Sequence, residues 1–273
     1  MTLRYLATGS YLRSAADFCG VSPPTASRVI KKVTAAIAEL CPAIIKFPDD
    51  IGTLQNGFYN IAKFPKVVAA IDCTHVHVRS PGGDTAENYR NRKSNFSLNV
   101  QVACDSQLRC VNIVARWPGS VHDQTIFNNS SLKQKFESGQ FGNGLLLGDS
   151  GYEMKPYLLT PFLNPSSPAE NLYNESHIRT RNTIERCFGV CKNRFPVLRR
   201  QITLKLNRVQ PIIVACFVLH NIAIDSNDRY FGEDNDIDSQ ICIDSVIDGS
   251  QSQVHDVRNR LVQEYFLTLL NSV

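Results

Sequence analysis

Two periodicities divide this chain. The first 40 residues carry apolar positions at helical spacing and no alternating run, which predicts helices there. The run Ser14 through Val21 contains Gly20, which can take the positive φ of a tight turn. Ser22-Pro23-Pro24 then opens a second run, Thr25 through Lys32. A Ser cap followed by Pro starts a helix, so residues 1–40 read as a helix-turn-helix-like region. Thr25, Ser27, Arg28, Lys31 and Lys32 are expected to face outward from its second helix, where a recognition helix meets the major groove. Residues 41–64 hold turn residues and little periodicity, and read as a linker with one short helix.

Strand signals then begin, as apolar runs with one clear alternation over Asn95–Cys104. Strands are predicted over Val67–Ile71, continuing through Thr74–Val78, over Asn95–Cys104 and over Arg109–Arg116. Ser120, with Asp123 three residues on, predicts a capped helix running through Phe136. Leu145–Gly148 is a fourth, short strand. Pro156, Pro161, Pro165 and Pro168 mark an irregular segment before helices over 175–195 and 208–224. Three antiparallel-looking strands, a helix, a fourth strand and a later helix give the order of an RNase H-like α/β core. The expectation is a mixed sheet flanked by helices over 65–224, beside the small all-α N-terminal region. Residues 225–256 are polar, acidic and aperiodic, a composition that resists folding alone, and 257–273 reads as a terminal amphipathic helix.

Composition adds a partner class. The formal net charge is +4, but residues 225–256 hold nine acids against one base, Arg229, so the remainder carries +12. A cationic body suits DNA, because Lys and Arg release condensed counterions on binding. Nine cysteines without a CxxC pair, several of them inside apolar words, point to a reducing compartment. The longest apolar stretch, Ile212–Leu219, is shorter than the ~20 residues a bilayer span needs. It predicts a buried helix and no membrane.

Candidate chemistry centres on three acids. Asp72 ends the apolar run Val67–Ile71, Asp149 ends Leu145–Gly148, and Glu185 lies beyond Asp149, with 35 residues between them, in a helical run. Two strand-end carboxylates and one on a later helix can converge and hold two divalent cations about 4 Å apart, which clamp the attacking and leaving oxygens of a phosphodiester. In that scheme Asp72 bridges the two ions, Asp149 binds one and Glu185 the other. Oxygen ligands suit Mg²⁺ or Mn²⁺, and crowded carboxylates should raise at least one proton affinity. His75 and His77 alternate beside Cys73, but no second Cys/His pair stands downstream at zinc spacing, so they are expected in or beside the core. Cys187 and Cys191 share a helix face and are expected to pack.

The words around these acids come in a fixed order: Ala70-Ile71-Asp72-Cys73-Thr74-His75-Val76, Tyr89-Arg90-Asn91-Arg92-Lys93 and Gly119-Ser120-Val121-His122-Asp123. Gly148-Asp149-Ser150-Gly151-Tyr152, Ile184-Glu185-Arg186-Cys187-Phe188-Gly189 and Leu219-His220-Asn221 follow. Over roughly residues 65–224 this resembles the DDE endonuclease domain of PIF/Harbinger transposases and of host nucleases derived from them. Glu153 departs from the family's usual Pro, and Ser94 from its common Gly. The resemblance implies a metal-dependent DNA endonuclease with Asp72, Asp149 and Glu185 as catalytic metal ligands, and with His122 and Asp123 at the border of the site. It leaves open a domesticated DNA-binding protein that no longer cuts, and an active transposase. It further implies a separate Myb/SANT-like DNA-binding partner and a nuclear, or nuclear and cytoplasmic, location, and is compatible with a homo-oligomer. Arg90, Arg92 and Lys93, with Arg186, Lys192 and Arg194, are then expected to hold the DNA backbone, alongside Arg28, Lys31 and Lys32.

Overall fold

The computed structural model describes residues 1–228 and 254–271. The chain opens with three helices, α1 (Thr2–Thr8), α2 (Leu12–Phe18) and α3 (Pro23–Glu39). Gly20 turns the chain between α2 and α3 at φ 63°. The Ser22 hydroxyl accepts from the Thr25 N–H, and Pro23 and Pro24 occupy the first turn, where a missing N–H costs nothing. Ala26, Ile30 and Thr34, at four-residue spacing, form the buried stripe of α3.

The stretch expected as a linker is mostly helical: α4 is Cys41–Ile44 and α5 is Ile51–Ala62. Asp50 caps α5 by accepting from the Gly52 N–H at 2.9 Å. Leu54 and Phe58, four apart, are buried. Three small or flexible residues (Gly52, Gly57, Asn56) blur the sequence pattern of α5, and packing supplies what propensity lacks.

The core is a five-stranded sheet in the order β3-β2-β1-β4-β5. Its strands are β1 (Val67–His77), β2 (Ser97–Cys104), β3 (Cys110–Pro118), β4 (Leu145–Leu147) and β5 (Leu158–Leu159). β1, β2 and β3 are antiparallel neighbours, while β4 and β5 run parallel to β1. Val67 through Ile71 are fully buried, as a central strand covered on both faces requires. The two-residue β5 lies inside the segment read as irregular, too short to show a period.

The helix expected from Ser120 to Phe136 is two helices, α6 (Asp123–Asn128) and α7 (Ser131–Glu137). Ser130 breaks the run and caps α7, its hydroxyl accepting from the Lys133 N–H at 3.1 Å. α8 (Pro168–Arg194) starts earlier than its apolar pattern suggests, because Ser167 caps it by accepting from the Glu170 N–H at 3.2 Å. α9 (Leu206–Asp225) is 20 residues long. Its length and hydropathy alone would therefore allow a membrane span, contrary to the shorter stretch read from the sequence. It packs against α3, β3, α4 and α8. α10 (Val254–Arg260) continues through a π-helical turn, Leu261–Phe266, into α11 (Leu267–Asn271), and Phe266 is buried against Phe64 and Tyr173. Most of the acidic segment read over 225–256 lies outside the described residues.

Candidate active site

Side chains alternate across β1, and two faces of chemistry follow. Asp72 and Thr74 meet α8: Arg181 Nη1 donates to Asp72 Oδ2 at 3.1 Å, and Lys192 Nζ donates to Thr74 Oγ1 at 2.6 Å. Cys73 and His75 point the other way, toward Tyr152 (Sγ to hydroxyl, 3.5 Å) and Ser97 (Nδ1 to Oγ, 3.0 Å).

The parallel register of β1 and β4 pairs Ala70 with Leu147. Asp72 and Asp149 each stand two residues further on, so the sheet itself sets them side by side at one end. Gly148 precedes Asp149 because a Cβ there would lie 2.9 Å from the Tyr152 ring. Asp149 Oδ1 accepts from the Gly151 N–H at 3.0 Å, which bends the chain sharply away after the acid. Glu185 comes from α8, one turn after Arg181, whose Nη2 donates to Glu185 Oε1 at 2.5 Å. One guanidinium thus holds two of the three acids.

Asp72 is the electrostatic centre. Burial raises its pKa and the charge of Asp149 raises it further, against the opposing pull of Arg181 and of the Cys73 N–H, which donates to Oδ1 at 2.7 Å; the result is about 7. The donor set is all carboxylate oxygen, the chemistry hard divalent cations take. As the side chains stand, no group of three or more His, Cys, Asp or Glu among the described residues is gathered tightly enough to hold a metal ion. Between Asp72 and Glu185 stands the Arg181 guanidinium.

Asp123 is the first residue of α6, and its Oδ1 accepts from Asn99 Nδ2 at 2.7 Å. Its charge reaches Asp72 and Cys73. His122, at the α6 cap, pairs its Nδ1 with Arg92 Nη2 at 2.9 Å. With His75, Lys93, Asn99 and Asp149 these residues line a cavity of about 230 Å³ beside the acids. His75 is lowered in pKa mainly by burial.

The basic residues fall into different settings. Arg28, Lys31 and Lys32 are exposed on α3, whereas Ser27 is turned inward and accepts from Arg208 Nη1 at 2.6 Å. Arg92, Lys93 and Arg186 are exposed. Arg90 makes a two-pronged pair with Glu87 at 2.7 and 2.9 Å and lies over the Phe96 ring. Lys192 is largely buried against β1, which lowers its pKa, and Arg194 pairs with Asp228. The ammonium of Lys192 therefore braces α8 on β1, and it does not extend toward solvent as a backbone clamp would.

Sequence reading passed over Arg181. The signal was an Arg–Glu pair at i, i+4 inside a helical run, a spacing that puts both on one helix face. His220 and Asn221 are internal: His220 Nε2 contacts the Leu108 carbonyl at 2.8 Å. The eight described cysteines are free thiols.

Comparison with known proteins bears on this geometry. A family model described as DDE superfamily endonuclease matches residues 71–221, which spans all three acids. The chain is 34% identical over 229 residues to the human protein named "Putative nuclease HARBI1", covering 82% of this chain and 65% of the relative. The Xenopus laevis protein of the same name is 31% identical over 228 residues, with 81% and 65% covered. "Protein ALP1-like" of Arabidopsis thaliana is 26% identical over 245 residues, with 84% and 60% covered. The chain thus spans less than two thirds of the length of these relatives. No solved structure gives a significant match.

Proposed function

From the premise that this chain belongs to the DDE superfamily endonuclease family, we propose that it is a divalent-metal-dependent DNA endonuclease of the Harbinger-derived type, with Asp72, Asp149 and Glu185 as its catalytic metal ligands. The observation that carries the reading is the β1–β4 register, which sets Asp72 and Asp149 together where α8 delivers Glu185 through Arg181.

Mg²⁺ or Mn²⁺, when bound, supplies Lewis-acid charge at the attacking and leaving oxygens of the phosphodiester. Asp72, on the central strand, gives the site its most rigid ligand. Its elevated proton affinity comes first from burial and then from the charge of Asp149, and a buried carboxylate beside a second one favours an added cation. Asp123 and Asn99 form a hydrogen-bonded wall next to that group. Arg92, Lys93 and Arg186 are the exposed cations suited to hold backbone phosphates on either side, contacts that set position and carry little sequence information. Arg28, Lys31 and Lys32, exposed on α3 of the helix-turn-helix-like unit, are the candidates for further backbone contacts. We assign sequence selection to a separate Myb/SANT-like partner and the working compartment to the nucleus, with the cytoplasm as a second location; both rest on the family resemblance.

A labelled duplex incubated with Mg²⁺, Mn²⁺, Ca²⁺ or EDTA, with and without a Myb/SANT-like protein, tests the reading. Cleavage with Mg²⁺ or Mn²⁺ and none with EDTA is expected. Cleavage undiminished by EDTA contradicts it.

A further inference from the structure

We propose that Arg181 is an exchangeable internal cation: its guanidinium lies between Asp72 and Glu185 and must leave that position before the two acids can share a divalent ion. The inference deepens the metal reading above and rests on it.

The geometry is specific. Arg181 Nη1 and Nη2 reach different acids, Asp72 Oδ2 at 3.1 Å and Glu185 Oε1 at 2.5 Å. The side chain of Arg181 is only 15% exposed, and those of Asp72 and Glu185 are 17% and 26% exposed, so the pairs are poorly screened. The remaining Asp72 oxygen, Oδ1, is taken by the Cys73 N–H. The two donations from Arg181 engage one oxygen of Asp72 and one of Glu185, donors that these acids would otherwise offer a divalent ion. A fixed +1 charge at that point also repels an incoming +2 charge through a low-dielectric medium. Competition for the same oxygens is thermodynamically reciprocal: whatever Arg181 contributes to the stability of the metal-free site, it subtracts from the affinity of the ion.

Arg181 is in this sense a positioning residue. It holds the α8 acid against the β1 acid while the ion is absent, and sets the cation concentration at which the site loads. Removing its charge should leave Asp72 and Glu185 repelling each other, weakening the metal-free protein and strengthening its demand for an ion. Lysine at this position keeps the charge but cannot fork to both acids, so it should fall between.

The test is Mn²⁺ binding to the DNA-free full chain, followed by electron paramagnetic resonance and by Mn²⁺-induced rise in Tm, for wild type, Arg181→Gln, Arg181→Lys and Asp72→Asn. Circular dichroism first establishes that each variant folds. Arg181→Gln is expected to bind Mn²⁺ about ten- to a hundredfold more tightly than wild type, with Arg181→Lys intermediate and Asp72→Asn weaker. Equal or weaker binding by Arg181→Gln, where Asp72→Asn still abolishes it, overturns the exchange role and leaves the metal site standing. Absence of Mn²⁺ binding in all four proteins, with or without duplex DNA, overturns the metal reading and this inference together. If Arg181→Gln does not fold, Arg181→Lys alone decides: a rise in affinity over wild type supports the exchange, and no rise overturns it.

Discussion

Asn221 and Cys110 exchange two hydrogen bonds: the Cys110 N–H donates to Asn221 Oδ1 at 2.9 Å, and Asn221 Nδ2 donates to the Cys110 carbonyl at 2.7 Å. An amide side chain on α9 thereby completes the pairing of the first residue of β3, which is an edge strand. Both residues are fully buried. Asn221→Leu would strand a buried donor and acceptor, each costing about 1–3 kcal/mol. We expect a loss of roughly 2–4 kcal/mol, read from the urea midpoint at unchanged slope; a loss below the error of the fit would mean that the strand end finds other partners.

The same pair explains what was legible in the sequence. The word Leu219-His220-Asn221 stood out as part of an ordered set, but nothing local ties it to a strand 111 positions away in the chain. The strands were visible as short apolar or alternating runs rich in β-branched residues, and the two long helices as apolar positions at helical spacing. α5 and β5 were not, because one is diluted by glycine and asparagine and the other has only two residues. The acids announced themselves by ending apolar runs; their adjacency depends on the parallel pairing of β1 with β4, a long-range choice. Arg181 was hidden for the same reason: its partner Asp72 stands 109 positions away in the chain. Lys192, read as a phosphate clamp from its charge and its place on the Glu185 helix, is turned inward, where Thr74 and the His75 carbonyl offer it acceptors.

Asp149 destabilises its neighbour. The folded pKa of Asp72, about 7, lies above its unfolded value near 3.9, so the native state holds the extra proton in between and this group loses stability as pH rises from about 4 to 7. Asp149→Asn removes one cause while keeping an oxygen for the Gly151 N–H. In metal-free buffer the variant should gain Tm over wild type at pH 8 and little at pH 4. Equal differences at both pH values would show that the two acids do not interact.

His177 works in the opposite direction. It is fully buried beside Phe64 and Tyr173, with Nε2 against the Leu159 carbonyl at 3.0 Å, and burial lowers its pKa to about 3. The unfolded chain, titrating near 6.5, then takes up a proton that the native state refuses, so stability falls as pH drops from about 6.5 toward 3, at about 1.4 kcal/mol per unit. His177→Gln should flatten this acid limb in denaturant titrations between pH 6 and 4. An unchanged slope would assign the acid sensitivity elsewhere.

The exposed cations of α3 have a distinct signature. Replacing Arg28, Lys31 and Lys32 together by Ala should weaken duplex binding on all sequences alike and reduce the slope of log K against log salt by about one for each phosphate no longer neutralised. All three side chains lie outside the core, so Tm should stay within about a degree or two. Unaltered affinity and slope would remove α3 from the DNA-binding surface.

Asp72, Asp149 and Glu185 are proposed to form one metal-dependent nuclease site. Nicking of supercoiled plasmid with Mn²⁺ or Mg²⁺, comparing wild type with Asp149→Ala and Glu185→Ala prepared identically, reads that assignment without intermediaries. Wild type should nick only when the metal is present, and both variants should lose the activity. Nicking that survives both substitutions would contradict the assignment.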